Sequence, residues 1–334
     1  MKKILLSERI FIAGSTGMAG GAIFRALKNA GYGRKENGGI FLTPKRDELD
    51  LLNRTEVFDW FSKNLPTVVV IAAAKVGGIY ANSTQPVDFL LDNLKIQTNL
   101  IEASWMNKVK RLIFLGSSCI YPKLAKQPIK EEYLLSGPLE KTNECYALAK
   151  IAGIKLCEAL RIQYKFDSIS LMPTNLYGPG DNYHPKNSHV MAALIKKFHD
   201  AVVNSSEKVT CWGTGSPYRE FLHVDDLGES VVFCLEKWDT FSKESPKDDK
   251  GDPLFHLNVG TGKDISIKDL ALKIANLLKF KGEIVWDSSK PDGTPKKQLD
   301  ISRITELGWR PSISLDEGIE STVLEYKKLF KIES

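Results

Sequence analysis

Residues 10–20 read Ile10-Phe11-Ile12-Ala13-Gly14-Ser15-Thr16-Gly17-Met18-Ala19-Gly20, and helical periodicity follows at once in residues 22–27. The four apolar residues predict a short strand buried in a parallel sheet. After it, Gly14 permits a tight turn, Gly17 lets the backbone approach a pyrophosphate, and Gly20 lets the helix pack close to the strand. The phosphates would then lie at the helix N-terminus. In this strand–turn–helix setting, the stretch predicts a doubly wound α/β fold that opens with a dinucleotide-binding loop.

The end of the second predicted strand, residues 39–44, indicates which dinucleotide is bound. A site for NAD offers an acidic residue to the ribose 2′-hydroxyl about 20 residues after the glycine loop. Here the strand is followed by Lys45 and Arg46 before Asp47. A guanidinium suits a 2′-phosphate, so we expect NADP(H), with Arg46 as the phosphate contact. The alternative is that the basic pair lies in a solvated loop.

A second informative region runs from Leu112 to Lys150. An apolar strand ends there in Gly116-Ser117-Ser118-Cys119, and Tyr146 and Lys150 follow four residues apart, which places both on one face of a helix. A lysine ammonium beside a phenol lowers the pKa of the tyrosine. Such a tyrosine can exchange a proton with an alcohol or ketone oxygen. A Tyr-x-x-x-Lys pair alone is common on solvated helices, but after a dinucleotide loop and a serine-ended strand it predicts a ketone/alcohol redox site.

Composition excludes several classes of protein. The 334 residues are 43% apolar and 26% charged, and 46 basic against 41 acidic residues give a net charge of +5 with no long basic run. We therefore expect no nucleic-acid partner. The N-terminus is too short in its apolar part for a signal peptide, and no window approaches the roughly 18 apolar residues of a membrane span. The five cysteines contain no CxxC pair, which predicts no metal site and a reducing cytoplasm: Cys119, Cys145, Cys157, Cys211 and Cys234.

The order of apolar runs and Pro/Gly-rich breaks predicts a doubly wound parallel Rossmann sheet with a smaller α/β substrate-binding domain. The cofactor domain is expected to comprise residues 1–172, 220–239 and 254–262. Residues 173–219 and 263–334 would form the second domain, because periodicity stops where Pro and Gly dominate after residue 172. The Lys/Asp/Ser-rich residues 240–253 are interpreted as an exposed insertion.

Five stretches make the chain resemble the extended short-chain dehydrogenase/reductase family, in particular its branch that makes GDP-L-fucose. They are Ala72–Gly78, Gly116–Pro122, Pro173–Pro179, Asn187–Val190 and Lys290–Pro295. The resemblance covers nearly the whole chain. It implies a GDP-sugar substrate, GDP-4-keto-6-deoxy-D-mannose, which is epimerised at C3 and C5 and then reduced at C4 with NADPH.

Carried over position by position, the resemblance assigns Ser117, Tyr146 and Lys150 to reduction. It assigns Cys119, as base, and His189, as acid, to epimerisation, although a cysteine after a strand is most often a buried apolar residue and a loop histidine usually lies at the surface.

The remaining positions are binding positions. The predicted cofactor contacts are Gly14, Ser15, Thr16, Gly17, Met18, Ala19, Gly20, Arg46, Asp50, Leu51, Ala73, Leu115, Gly116, Lys150, Pro173, Asn175, Leu176 and His189. The predicted substrate contacts are Lys197, Trp212, Arg219 and Asp292. One position departs from the family, because Thr16 stands where a basic residue is expected, and this places the 2′-phosphate contact on Arg46. The resemblance also implies a homodimer that packs the helices at 88–107 and 142–164 into a bundle.

Three other functions remain open from the sequence. A 4,6-dehydratase of the same fold needs a carboxylate beside the catalytic hydroxyl, and residues 117–119 are Ser-Ser-Cys. A 4-epimerase would retain NAD and return the hydride. A non-catalytic NADP-binding protein would have no use for Ser117, Tyr146 and Lys150.

Overall fold

The computed structural model describes residues 3–184 and 188–330 of the chain. Asn187, which begins one of the quoted stretches, lies outside the described residues. Residues 1–2 of the predicted cofactor domain and residues 331–334 of the predicted second domain also lie outside them.

A six-stranded parallel sheet forms the centre of the molecule, in the order β2-β1-β3-β4-β5-β9. Its strands are β1 Arg9–Ala13, β2 Ile40–Leu42, β3 Val68–Ile71, β4 Arg111–Leu115, β5 Ser168–Pro173 and β9 His256–Val259. The predicted doubly wound α/β class is confirmed. Since all six strands are parallel, their carboxyl ends meet at one edge, where such sheets bind ligands.

Helices cover both faces of this sheet. They are α1 Met18–Asn29, α2 Arg54–Asn64, α3 Ile79–Thr84, α4 Pro86–Met106, α5 Glu144–Tyr164 and, later in the chain, α7 Val224–Lys237. Along β1, Ile10 and Ile12 face the core under α1 and α7, whereas Phe11 and Ala13 face the core under α2, α4 and α5. Successive side chains point to opposite faces, so burial on both explains why this strand is apolar throughout.

A smaller unit packs beside the carboxyl edge. It contains β6 Asn175–Tyr177, α6 Val190–Val203, β7 Lys208–Trp212, β8 Tyr218–His223, β10 Asp264–Ser266, α8 Ile267–Leu277, β11 Glu283–Asp287, β12 Lys296–Lys297 and α10 Leu315–Leu329. The short helix α9 Ser302–Glu306, which the sequence placed in the second domain, instead packs on β9, and its Ile304 lies in the core under α1 and α7. Strand β8 is its centre, because it pairs with β6, β10 and β12. Residues 220–223, which the sequence placed with the cofactor domain, therefore lie in this second sheet, and the helix α7 that follows them packs on α1.

Most of residues 240–253 are exposed, but Thr240 and Ser245 are buried. The indole Nε1 of the buried Trp238 donates to Ser245 Oγ at 3.2 Å, and this contact anchors the segment. Across residues 3–184 and 188–330, no helix is long and apolar enough to cross a membrane. The same residues hold no cluster of three His, Cys, Asp or Glu side chains that could bind a metal ion.

Candidate active site

A cavity of about 660 Å³ opens at the carboxyl ends of β1, β3, β4 and β5. All the residues that the sequence assigned to the cofactor line it: Gly14, Ser15, Thr16, Gly17, Met18, Ala19, Gly20, Arg46, Asp50, Leu51, Ala73, Leu115, Gly116, Lys150, Pro173, Asn175, Leu176 and His189. Ser117, Cys119 and Tyr146 line the same cavity. The fold thus brings the two predicted sets of residues into one space.

The glycine loop has the shape that a close-lying pyrophosphate requires. Gly14 has φ +81°, and a Cβ there would come within 2.8 Å of the Ala73 nitrogen. A Cβ on Gly20 would come within 2.1 Å of the Gly14 carbonyl oxygen, so a side chain at either position would push the loop open. No side chain caps the N-terminus of α1. Its first N–H groups therefore remain available to an anion.

Arg46 follows strand β2; its side chain is exposed and lines the cavity. It forms no ion pair with any residue in the described ranges, so its guanidinium is free for a ligand. The neighbouring chain is held in place, because Asp50 Oδ1 accepts the Leu52 N–H at 3.0 Å and Asn99 Nδ2 donates to the Leu51 carbonyl at 2.9 Å. These residues fit a 2′-phosphorylated dinucleotide.

Lys150 is almost fully buried in the cavity wall. Its Nζ donates to the Leu115 carbonyl at 2.8 Å and lies 4.8 Å from the centre of the Phe114 ring. Burial disfavours the ammonium form and lowers the pKa of Lys150 to about 7.

Tyr146 lies one helical turn before Lys150, and the Ser117 hydroxyl is among the groups that influence its pKa. Burial raises the pKa of Tyr146 above its ordinary value, and Cys119 acts in the same direction. The prediction that Lys150 lowers the pKa of Tyr146 is therefore wrong for this arrangement, since desolvation outweighs any field of the ammonium. The phenol is protonated at neutral pH, so it can act as a proton donor.

The Cys119 sulfur has two donor groups beside it that the sequence did not single out. Asn143 Nδ2 donates to Sγ at 3.3 Å, and Lys297 Nζ lies 3.5 Å from Sγ. Ser117 Oγ accepts the Cys119 N–H at 3.2 Å. No local sequence pattern predicts these contacts, because Asn143 lies in a short 3-10 turn and Lys297 is 178 positions away from Cys119 along the chain.

His189 is the residue that precedes α6, and it faces the cavity from the side of the smaller unit. Desolvation lowers the pKa of its imidazole below the ordinary value, while the residue as a whole is exposed. The loop after β3 packs against this segment, since a Cβ on Gly78 would come within 2.9 Å of the Ser188 carbonyl oxygen. Asn82 Nδ2 holds that loop through the Gly77 carbonyl at 2.7 Å.

The four predicted substrate residues do not line this cavity, and they form two contacting pairs in the smaller unit. Lys197 Nζ lies 5.5 Å from the centre of the Trp212 ring, which is exposed. Arg219 Nη2 donates to the Asp292 carbonyl at 3.1 Å. These groups offer a cation and a stacking surface that suit a phosphorylated nucleoside.

The register of β8 and β12 connects this group to Cys119. Lys297 is the strand partner of Arg219, so two cations lie side by side next to the sulfur. Burial lowers the pKa of Arg219, and the nearby Cys119 opposes that shift. The cysteine that the sequence assigned to proton exchange thus adjoins hydrogen-bond donors and a pair of cations.

Comparison with known proteins agrees with this geometry. A model of the NAD dependent epimerase/dehydratase family matches residues 10–248. The chain is 51% identical over 319 residues to "Probable GDP-L-fucose synthase 1" of Oryza sativa subsp. japonica, which covers 95% of this chain and 92% of that one. It is 50% identical over 316 residues to "GDP-L-fucose synthase" of Escherichia coli (strain K12), covering 94% and 95% of the two chains.

Among solved structures, an NADP-bound GDP-L-fucose synthetase from Naegleria fowleri superimposes with a TM-score of 0.82 at 25% identity and covers 97% of this chain and 95% of that one. The family match and these identities together show that the chain belongs to the NAD dependent epimerase/dehydratase family.

Proposed function

We propose that this protein converts GDP-4-keto-6-deoxy-D-mannose to GDP-L-fucose by epimerisation at C3 and C5 followed by NADPH-dependent reduction at C4. The observation that carries the proposal is the convergence of Ser117, Tyr146 and Lys150 with Cys119 and His189 on one cavity. Relatives at about 50% identity over nearly the whole chain bear the name of this activity.

The cofactor is NADP(H), and when bound it supplies the hydride that reduces the C4 ketone. The glycine loop before α1 would hold its pyrophosphate and Arg46 its 2′-phosphate. Lys150 would hold the nicotinamide ribose, with its position fixed by the Leu115 carbonyl. The five free cysteines and a requirement for NADPH fit a reducing cytoplasm.

Epimerisation follows from the acidity of hydrogens next to a ketone. In our assignment Cys119 acts as base and removes the proton from one face of the sugar, and His189, after taking up a proton from solvent, returns a proton to the other face. Proton exchange with solvent restores both groups before the second carbon is inverted. The protonated Tyr146 and Ser117 hydrogen-bond the C4 oxygen while negative charge collects on it. After both carbons are inverted, Tyr146 gives its proton to the C4 oxygen as the ketone becomes an alcohol.

The alternatives fit this site less well. The residues beside the catalytic hydroxyl are Ser118 and Cys119, and neither can replace the carboxylate of a dehydratase. A 4-epimerase would retain NAD and return the hydride, so a purified protein that lacks bound cofactor and consumes NADPH would decide against it. A purely NADP-binding protein would not need the donors around the Cys119 sulfur.

We further propose a homodimer built on α4 and α5. These helices pack on each other and correspond to the predicted 88–107 and 142–164 segments. On α5 the exposed positions recur at intervals of four and three residues: Leu148, Ala152, Lys155, Ala159 and Ile162. On α4, Val87 and Leu91 are exposed as well. Four of these five positions are apolar, and an exposed apolar stripe favours packing against another helix; a second copy related by two-fold symmetry would complete a four-helix bundle.

The two halves of the reaction can be separated by substitution. With GDP-4-keto-6-deoxy-D-mannose in deuterated water, Cys119→Ser should abolish deuterium uptake at C3 and C5 and leave NADPH affinity unchanged. Tyr146→Phe should permit exchange but slow NADPH oxidation by about 10²-fold or more, because the proton donor is lost. Mass spectrometry and NMR of the product measure both results. Cys145→Ser, outside the cavity lining, is the matched control, and normal exchange in Cys119→Ser would remove Cys119 from the mechanism.

The stability of the cofactor-free protein should depend on pH through Lys150. Its pKa of about 7 lies below the ordinary value of 10.5, so between these values the unfolded state binds the extra proton and stability rises with pH. Lys150→Met should remove this component. We expect Tm to rise less between pH 7 and 9 in the variant than in the wild type, as measured by calorimetry. Identical slopes would contradict the buried, neutral lysine.

Arg46 should determine the preference for NADPH over NADH. Removing a charged contact to a phosphate costs about 1.5–3 kcal/mol, so Arg46→Ala should weaken NADPH binding by about 10- to 100-fold. NADH binding should change little. Calorimetric titration of both dinucleotides gives the comparison. Arg310→Ala replaces an exposed arginine that does not line the cavity and should leave both affinities unchanged.

The dimer proposal is tested at Ala152, a small apolar position within the α5 stripe. Ala152→Arg should produce monomers in sedimentation equilibrium, because a long charged side chain keeps the α4–α5 pairs of the two copies apart. Leu272→Arg places the same side chain at an exposed apolar position on α8 and should leave the dimer intact. A wild-type protein that sediments as a monomer at micromolar concentration would refute the proposal.

A further inference from the structure

Glu220, in β8, is a buried carboxylate that neither the sequence nor the proposed mechanism uses. It is fully inaccessible to solvent. Its Oε1 accepts the N–H groups of Thr261 at 2.5 Å and Gly262 at 2.8 Å, and its Oε2 accepts the N–H of Leu299 at 2.7 Å. Three backbone donors from two separate segments therefore converge on one side chain.

The three hydrogen bonds stabilise the buried carboxylate in place of a counter-ion, since Glu220 forms no ion pair with a lysine or arginine of the described chain. A carboxylate buried without a counter-ion is costly. The ionised carboxylate accepts all three N–H groups, whereas a protonated carboxyl would turn one oxygen into a hydroxyl donor and weaken its contact with the backbone. The fit is also tight, as a Cβ on Gly260 would come within 2.1 Å of Oε1.

The main chain of Glu220 contacts the wall of the cofactor cavity. Its carbonyl accepts Thr174 Oγ1 at 3.2 Å and Asn175 Nδ2 at 2.8 Å, and both residues line the cavity. One residue thus joins the end of β5, the loop at 260–262 and the segment that begins at β12.

The neighbours of Glu220 are the cations beside Cys119. Arg219 precedes it and, by strand alternation, points to the other face of β8. Leu299, which Glu220 holds, lies two residues after Lys297, and Lys297 Nζ is 3.5 Å from the Cys119 sulfur. A shift of the carboxylate would therefore move both cations relative to the sulfur.

We propose that Glu220 is a positioning residue for the sugar nucleotide: its ionised carboxylate fixes β12 and the 260–262 loop on β8 and so sets where Arg219 and Lys297 meet the substrate beside Cys119. This inference rests on the proposed function, because it assigns those cations to substrate.

The charge state of Glu220 supplies a readout that packing alone would not change. Burial raises the pKa of Glu220 to about 7. The charged neighbours are Asp264, its strand partner in β10, which adds to this shift, and Lys296 of β12, which pairs with Asp264 at 3.2 Å. Residues 260–262 bring no ionisable side chain. The ionised form that holds the segments thus predominates above pH 7 and is lost below it.

Glu220→Gln keeps the shape of the side chain and removes its charge. We expect KM for GDP-4-keto-6-deoxy-D-mannose to rise by about tenfold at pH 8.5, because charge-assisted hydrogen bonds are lost, while the Kd for NADPH changes less than about twofold. The ratio of kcat/KM between wild type and variant should be largest at about pH 8.5 and approach one below about pH 6, where the wild-type carboxyl is protonated.

Two further variants keep the test decisive. Ile274→Val, in the core of α8, should lower Tm without raising KM and so separates stability from positioning. Gly260→Ala displaces the carboxylate without changing any charge, and it should also raise KM. This variant supplies the test if Glu220→Gln does not fold. An inactive wild type would refute the proposed function. If the wild type is active, an unchanged KM in the folded variant together with a kcat/KM ratio that does not depend on pH would overturn only the role of Glu220.

Discussion

The hydrogen bond from Lys150 Nζ to the Leu115 carbonyl, at 2.8 Å, is the constraint on which the site depends. It ties α5 to the end of β4, and β4 leads directly into Ser117 and Cys119. Because Tyr146 lies one helical turn earlier on the same face of α5, its phenol is brought to the Ser117 hydroxyl. The buried face of α5, with Ile151, Ile154 and Cys157, packs in the core, and the hydrogen bond adds a polar tie at the end of the helix that carries Tyr146. The buried amine of Lys150 thus helps to place Tyr146 and Ser117 together at the cofactor cavity.

Burial also explains why several groups of the site favour their neutral form. Burial lowers the pKa of Lys150 to about 7, lowers that of His189 and raises that of Tyr146. Each shift has desolvation as its largest cause, and each favours the uncharged side chain. The permanent charges lie on the opposite side, where Arg219 and Lys297 are strand partners. Adjacent like charges on neighbouring strands are unfavourable, and the nearby Asp292 and Glu140 carboxylates partly offset the charge of Arg219; in the proposed function the sugar nucleotide supplies further negative charge there.

The parts of this arrangement that are local in sequence could be predicted from it. The strand, glycine loop and helix at residues 10–27, the Arg46 position and the Tyr146–Lys150 pair follow from spacing and turn chemistry. Asn143, Lys297 and Glu220 could not be predicted, because their roles arise when segments far apart in the chain pair in space. The pKa of Tyr146 was predicted in the wrong direction for a related reason: a sequence shows which charges are near along a helix, but desolvation depends on everything that packs around the ring. Strand β8 likewise belongs to the second sheet through pairings that its own residues do not announce.

The high pKa of Tyr146 has a consequence for the order of the proposed steps. While the C4 oxygen carries the delocalised charge of an enolate, it is a weak base, so a phenol that holds its proton strongly donates a hydrogen bond without transferring the proton. Once C4 becomes tetrahedral, the charge is localised on an alkoxide, which is a far stronger base, and the same phenol then gives up its proton. A tyrosine with a lowered pKa would protonate the enolate early and divert the sugar to an enol at each inversion. Burial of this one hydroxyl therefore lets a single group stabilise the epimerisation intermediates and still terminate the reduction.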